Sequence, residues 1–171
     1  LLILVAEANA KYGEYKSLLE TLEFDSSYFL ESVLLKESYK STQIEGTQIT
    51  QEELYYLKYM EKSDDSKEIE NLKNAIEYAK KELKNGKKID YQLVYEMHKL
   101  ILDSVRGSHK SPGQIRTTQN WIGPRGCTIE NATFVPPRPE EIYSLLENLY
   151  QYMNDQFEDP YLINIALSHM Q

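Results

Sequence analysis

Apolar residues return at three- and four-residue intervals along most of the chain, the period of helices that turn one face inward. From Lys67 to Lys84 the stripe is Ile69, Leu72, Ile76, Ala79 and Leu83, and Asn85-Gly86 supplies the stop expected of a helix end. A second stripe, Leu93, Val94, Met97, Leu100 and Ile101, predicts a helix from Asp90 to about Ser104. After Pro136-Pro137, Pro139 suits a first helical position, with Ile142, Leu145, Leu146, Leu149 and Met153 on one face. A last helix opens near Asp159-Pro160.

Upstream, residues 4 to 22 mix Ala, Leu, Glu and Lys with few breakers, and Asp25-Ser26-Ser27 offers N-caps for a helix running to Gly46. Thr50-Gln51-Glu52-Glu53 has the form of a capping box and introduces a short helix through Met60. Ser63-Asp64-Asp65-Ser66 reads as a polar link, placing a boundary between residues 1 to 62 and residues 63 to 171. Residues 107 to 133 are rich in Gly, Pro, Ser and Thr. Within and beside them, Thr117 to Ile122 and Thr133 to Val135 favour β structure and predict one hairpin lying on a helical body. The fold class is mainly α, with a single β-hairpin.

Composition narrows the function. A chain of 171 residues is one domain, or one domain with a helical extension, and can bury a sizeable core. Nineteen basic against twenty-seven acidic residues, net charge -8, oppose a surface that would track nucleic acid. Cys127 is the single cysteine, so an internal disulfide is excluded and a reduced interior is favoured. The apolar opening Leu1 to Ala6 is far shorter than the roughly 20 residues of a membrane span and lacks the flanks of a signal peptide. These features predict a soluble, cytoplasmic protein. A start at Leu and an end inside a helical pattern predict that both ends are artificial.

One pair of side chains raises a chemical question. At about 100° per residue, Ser41 and Glu45 fall about 20° either side of the direction of Leu34, alongside Leu30, and so continue the stripe of their helix. Either the helix end has emerged into water and Glu45 is solvated, or the carboxylate must find donors or a cation.

Ser41-Thr42-Gln43-Ile44-Glu45-Gly46 resembles the inhibitory motif of Fic-domain proteins: a Ser or Thr, three residues, then Glu-Gly or Glu-Asn. Three further runs resemble signatures of that family in their usual order. The first of the three is the pair Leu100 to Gly107 and Lys110 to Arg116, the second Gln119-Asn120-Trp121-Ile122-Gly123, and the third Phe134-Val135-Pro136-Pro137. The resemblance covers nearly the whole chain. It implies an N-terminal inhibitory segment over residues 1 to 62 and the first part of a Fic core over 63 to 171. It further implies that Ser41, Glu45 and Gly46 are inhibitory, the glutamate pairing with an arginine of the catalytic motif and obstructing the γ-phosphate site of ATP. A carboxylate paired to a guanidinium has the geometry for this, and one negative group excludes another.

By the same resemblance, Thr118, Gln119, Asn120, Trp121, Ile122, Thr133, Phe134 and Val135 form a flap that aligns the main chain of a target protein. Exposed strand edges suit that task, because their N–H and C=O groups pair with any extended segment. Trp121 and Phe134 are expected to pack on the helices beneath, leaving the backbone to dock the target. Arg116 is a candidate to meet phosphate or anchor the loop, although a surface arginine more commonly pairs with a carboxylate. His98, His109 and His169 are dispersed without catalytic partners, and His169, in the helix that precedes the family's active site, reads as structural. The fourteen tyrosines read as packing residues with hydroxyls reaching water.

The family's motif His-Pro-Phe-x-Asp/Glu-Gly-Asn-Gly-x-Arg is absent from residues 1 to 171. The resemblance places it beyond Gln171, so no catalytic residue and no metal ligand is assigned. It also implies that an intact parent binds ATP and Mg2+ through that motif and transfers AMP to a Ser, Thr or Tyr hydroxyl of a target protein, with inhibition by Glu45. Some family members transfer other phosphate-containing groups and some remove AMP. This chain alone is expected to be inactive and to bind neither cofactor productively. No membrane partner is expected, and assembly into a homo-oligomer stays open. Two other readings stand beside the enzyme: a non-catalytic helical interaction module, and a regulator carrying a DNA-binding domain downstream.

Overall fold

The structure is a computed structural model that describes residues 1–23, 25–44, 46–56, 63–155 and 160–170. Among them are seven α-helices: α1 (Leu2–Glu20), α2 (Ser26–Ile44), α3 (Gln51–Tyr56), α4 (Asp64–Lys84), α5 (Tyr91–Ile101), α6 (Pro139–Asn154) and α7 (Tyr161–Met170), with a 3-10 turn at Ile129–Asn131. The protein is mainly α. None of these helices is long and apolar enough to cross a membrane. Glu45, the C-terminal part of the predicted helix through Met60, the boundary at residue 62 and Asp159 lie outside the described residues. So does Gln171, the residue beyond which the catalytic motif is expected.

α4 is the organising element and packs on both α2 and α5. Ile69 and Ala75 on its inner face are fully buried, and Ile69 joins Tyr39 of α2 and Ile49 in a cluster flanked by Leu35. Removing one such isoleucine from water stabilises the fold by about 2 kcal/mol. Across the same junction, Ser38 of α2 is fully buried. Lys73 of α4 reaches Glu31 of α2 at 2.6 Å and fastens the middle of the pair.

Several boundaries differ from the sequence expectation for identifiable reasons. Ser63-Asp64-Asp65-Ser66 is not a link but the start of α4: the Ser63 side chain accepts the Ser66 N–H at 3.1 Å, and Asp64 and Asp65 sit in the first turn, where the helix dipole favours acids. α5 begins under the predicted Asp90 cap, whose Oδ1 accepts the Leu93 N–H at 2.8 Å. It stops at Ile101, short of Ser104, because Asn71 of α4 donates to the carbonyls of Ile101 (3.2 Å) and Asp103 (2.8 Å). The Thr50 capping box forms as written, with Thr50 N–H to Glu53 at 2.7 Å and Glu53 N–H to Thr50 Oγ1 at 3.2 Å.

α6 turns most of its predicted stripe inward, with Ile142, Leu146 and Leu149 half-buried, but the face is shifted at its edge. Tyr150 is its buried residue, while Leu145 and Met153 are exposed. The reason is aromatic: Tyr150 meets Tyr91 edge-on, ring centroids 5.1 Å apart, and Tyr143 tilts against Tyr91 at 5.6 Å. Tyr95 lies in the same cluster, and burial pushes its phenol up to about 12. Asn154 completes the junction, accepting the Ile89 N–H at 2.9 Å and donating to the Ile89 carbonyl at 2.7 Å. α1 contrasts with all of these: Val5 is its one buried residue, and Leu1 to Leu4, Tyr12 and Leu18 are exposed.

Candidate functional site

The end of α2 is closed by backbone geometry. Gly46 has φ +97°, a conformation that a side chain disfavours, and the Gly46 N–H bonds the Gln43 carbonyl at 3.1 Å while the Thr47 N–H bonds the Thr42 carbonyl at 3.1 Å. This is a Schellman closure, which reverses the chain and satisfies the last carbonyls. Just before it, Thr42 is buried and Ser41 half-buried. Leu30, expected on the same stripe, is exposed, so the inward face of α2 is confined to its C-terminal half.

Beyond the turn, three segments meet on two carboxylates. Thr47 is buried and donates from Oγ1 to Glu68 Oε2 at 2.8 Å, and the Gln48 N–H donates to Asp65 Oδ2 at 2.6 Å. Arg106, in the loop after α5, forks onto Glu68 through Nε (2.8 Å) and Nη2 (2.7 Å), and its Nη2 also lies 3.1 Å from Asp65. The hydrogen bonds from Arg106 hold the Glu68 carboxyl below the ordinary glutamate range, against burial, which acts the other way. The same contact raises the Arg106 guanidinium further.

This node borders a cleft of about 770 Å³, to which α2 and its exit contribute Ser41, Thr42 and Thr47, α4 contributes Glu68, α5 contributes His98, and the following loop contributes Arg106 and Lys110. His98 also shapes the path towards the flap segment. Its Nδ1 accepts the Gly113 N–H at 3.0 Å, and Gly113 (φ +75°) sits so close to α5 that an added Cβ would lie 2.7 Å from Lys99 Cε and 3.1 Å from the Tyr95 carbonyl.

Among the described residues, Arg116 makes no carboxylate pair of the kind surface arginines favour. It donates instead to the carbonyls of Thr118 (3.0 Å) and Pro137, at the two ends of the flap segment. Gln119 adds a bond to the Pro136 carbonyl at 2.9 Å. Between those ends the predicted hairpin reduces to one antiparallel bridge, Ile122 with Phe134, formed by Ile122 N–H to Phe134 O at 2.9 Å and Phe134 N–H to Ile122 O at 3.0 Å. Pairing stops there because Gly123-Pro124 turns the chain away at once, and the intervening residues bond among themselves: Trp121 Nε1 to the Cys127 carbonyl (3.1 Å) and Thr128 N–H to Asn131 (2.7 Å).

The expected packing of the flap aromatics on the helices is not found. Trp121 is 41% and Phe134 56% exposed, with Ile122 and Val135 also exposed. Thr118, Asn120 and Thr133 are exposed, and Gln119 is half-buried.

Two family models match the chain, Fic/DOC family N-terminal over residues 2–81 and Fic/DOC family over residues 88–171. The chain belongs to the Fic/DOC family. No curated protein compared with it gives a match. The N-terminal match runs through α2, its closing turn and α4, and the second match takes in α5, Arg106, Arg116 and the bridge. The node of Thr47, Asp65, Glu68 and Arg106 therefore joins the N-terminal region of this Fic protein to its core. Sequence reasoning missed that node, since residues 38 positions apart carry no periodic signal; Arg106 stood out only as part of a family signature. Among the described residues, no group of three His, Cys, Asp or Glu side chains converges as a metal site requires.

Proposed function

We propose that this chain is the regulatory and target-positioning part of a protein adenylyltransferase, which moves AMP from ATP to a Ser, Thr or Tyr hydroxyl of a target protein and is restrained by Glu45. The observation that carries the reading is the closed end of α2. Ser41 and Thr42 line one cleft with Arg106 and Lys110, so the inhibitory motif is set against the loop that opens the family's core signatures. On this reading Glu45, the glutamate of the motif, opposes the γ-phosphate of ATP. Residues 1 to 171 contain neither the glycine-rich turn nor the acidic ligand that would hold ATP and Mg2+, so no step of the transfer itself is assigned to them. Their part is exclusion and alignment. Thr118 to Ile122 and Thr133 to Val135 present exposed backbone and apolar side chains to an extended target segment, and Arg116 fixes the base of that segment.

The test is Glu45→Gly in the full-length gene product, with incorporation from labelled ATP as the readout. A rise of about tenfold or more is expected, within the span of ordinary regulatory couplings. Incorporation unchanged from wild type would remove the inhibitory role. A purely docking protein would give no incorporation in either form.

A further inference from the structure

Thr47 and Gln48 are the first residues beyond the inhibitory motif, and both are tied to the opening turns of α4. The Thr47 hydroxyl and the Gln48 N–H reach the two carboxylates that Arg106 grips from the other side, at 2.8 Å to Glu68 and 2.6 Å to Asp65. The Glu68 side chain is only 17% exposed, so its charge needs the guanidinium, and the guanidinium fork in turn sets the direction of both Glu68 oxygens. One of those oxygens, Oε2, is the acceptor for Thr47. The position of the chain leaving Gly46 is therefore dictated by a residue on the loop after α5.

We propose that this node is a latch: Arg106, acting through Glu68 and Asp65, is a positioning residue that fixes the exit of α2 and so holds the inhibitory turn in its blocking attitude. The inference rests on the inhibitory reading of Glu45 given above. Among the described residues, the other side-chain hydrogen bonds of the last turn of α2 run within its own helix: Gln43 donates to the Tyr39 hydroxyl at 2.7 Å and accepts from Lys40 at 3.0 Å. That turn carries no basic residue to offset the helix dipole, and the Thr42 hydroxyl merely folds back on the Tyr39 carbonyl at 3.1 Å. The apolar cluster at Tyr39 and the Lys73–Glu31 pair secure α2 before the motif, Tyr39 two residues ahead of Ser41 and Glu31 further back. A Schellman turn fixes local direction but not the placement of the helix end on its neighbours; the latch supplies that placement from outside the helix. Opening it leaves the helix body seated and frees the last turn, and with it the inhibited population falls.

Thr47→Val and Glu68→Gln are made in the full-length gene product, each alone and each combined with Glu45→Gly, and labelled-ATP incorporation is measured. Thr47→Val keeps the shape of a buried residue and deletes one hydroxyl. Each single variant should raise incorporation by about five- to tenfold, and neither should add to the Glu45→Gly level, because the latch works only through the motif. Wild-type incorporation in both latch variants, with a raised Glu45→Gly, overturns the latch and leaves the inhibitory reading intact. If Glu45→Gly itself is silent, the inhibitory reading fails first and the latch falls with it. Hydrogen exchange supplies a readout independent of turnover. In Thr47→Val the amides of residues 46 and 47 should exchange about tenfold faster while those of Leu93 to Ile101 are unchanged; unaltered protection at 46 and 47 overturns the proposal.

Discussion

The turn that ends α2 and the segment from Thr117 to Val135 are both short, irregular stretches in an otherwise helical chain, and they are held in opposite ways. The first is fixed by side chains arriving from elsewhere in the sequence: Glu68, Asp65 and, through them, Arg106. The second is held by its own neighbours, with one bridge in its middle and Arg116 and Gln119 at its base. A part that must sit in one place against another part of the protein needs remote anchors. A part proposed to accept varied extended partners would be better served by a firm base and an open edge, where backbone N–H and C=O groups can pair with any extended segment.

The contrast can be broken by stability measurements. Ile69→Ala, under the α2 exit, should cost about 3 kcal/mol and lower the melting temperature by roughly 6–12 °C. Gly113→Ala, where the chain passes from α5 towards the flap, combines a positive φ with a close approach to the Tyr95 carbonyl and should cost about 2 kcal/mol in the same melt. Acid should act more mildly and on one region only. Glu68 ionises below the ordinary 4.5 because Arg106 bonds its charged form, so its contribution is complete above about pH 4.5 and is lost as pH falls through the lowered folded value. Wild type should therefore exceed Glu68→Gln by about 1 kcal/mol in urea melts near neutrality, and the gap should close as pH falls below the ordinary glutamate range. Phe134→Ala should change stability least, by no more than about 0.5 kcal/mol. A loss as large as that of Ile69→Ala would mean that the flap aromatics carry packing after all.

What the sequence made legible follows from what is local. Stripes at helical spacing placed α4, α5 and α6, and the caps at Asp90 and Thr50 and the first-position Pro139 marked real beginnings, because such signals act between near neighbours. The Ser63 cap was hidden by composition, since the residues that start a helix are those that make a polar link. Two differences elsewhere have long-range causes: Asn71 ends α5 from another helix, and Tyr91 draws Tyr150 of α6 inward. The hairpin stops after one pair for a local cause, the turn at Gly123-Pro124. At the candidate site, family signatures singled out Ser41, Gly46 and the flap residues, yet the partners of Thr47 and Gln48 that fix the exit lie 21 and 17 residues away and follow no repeat.

The protein has one tryptophan, Trp121, and it stands on the flap with its indole N–H on the Cys127 carbonyl and much of its ring in water. Excited at the red edge, where the fourteen tyrosines scarcely absorb, the chain's emission comes from that ring alone. The molecule thus carries its own optical reporter at the edge where an extended segment would lie. A blue shift, or protection from a dissolved quencher, would register occupancy there without any label and without turnover.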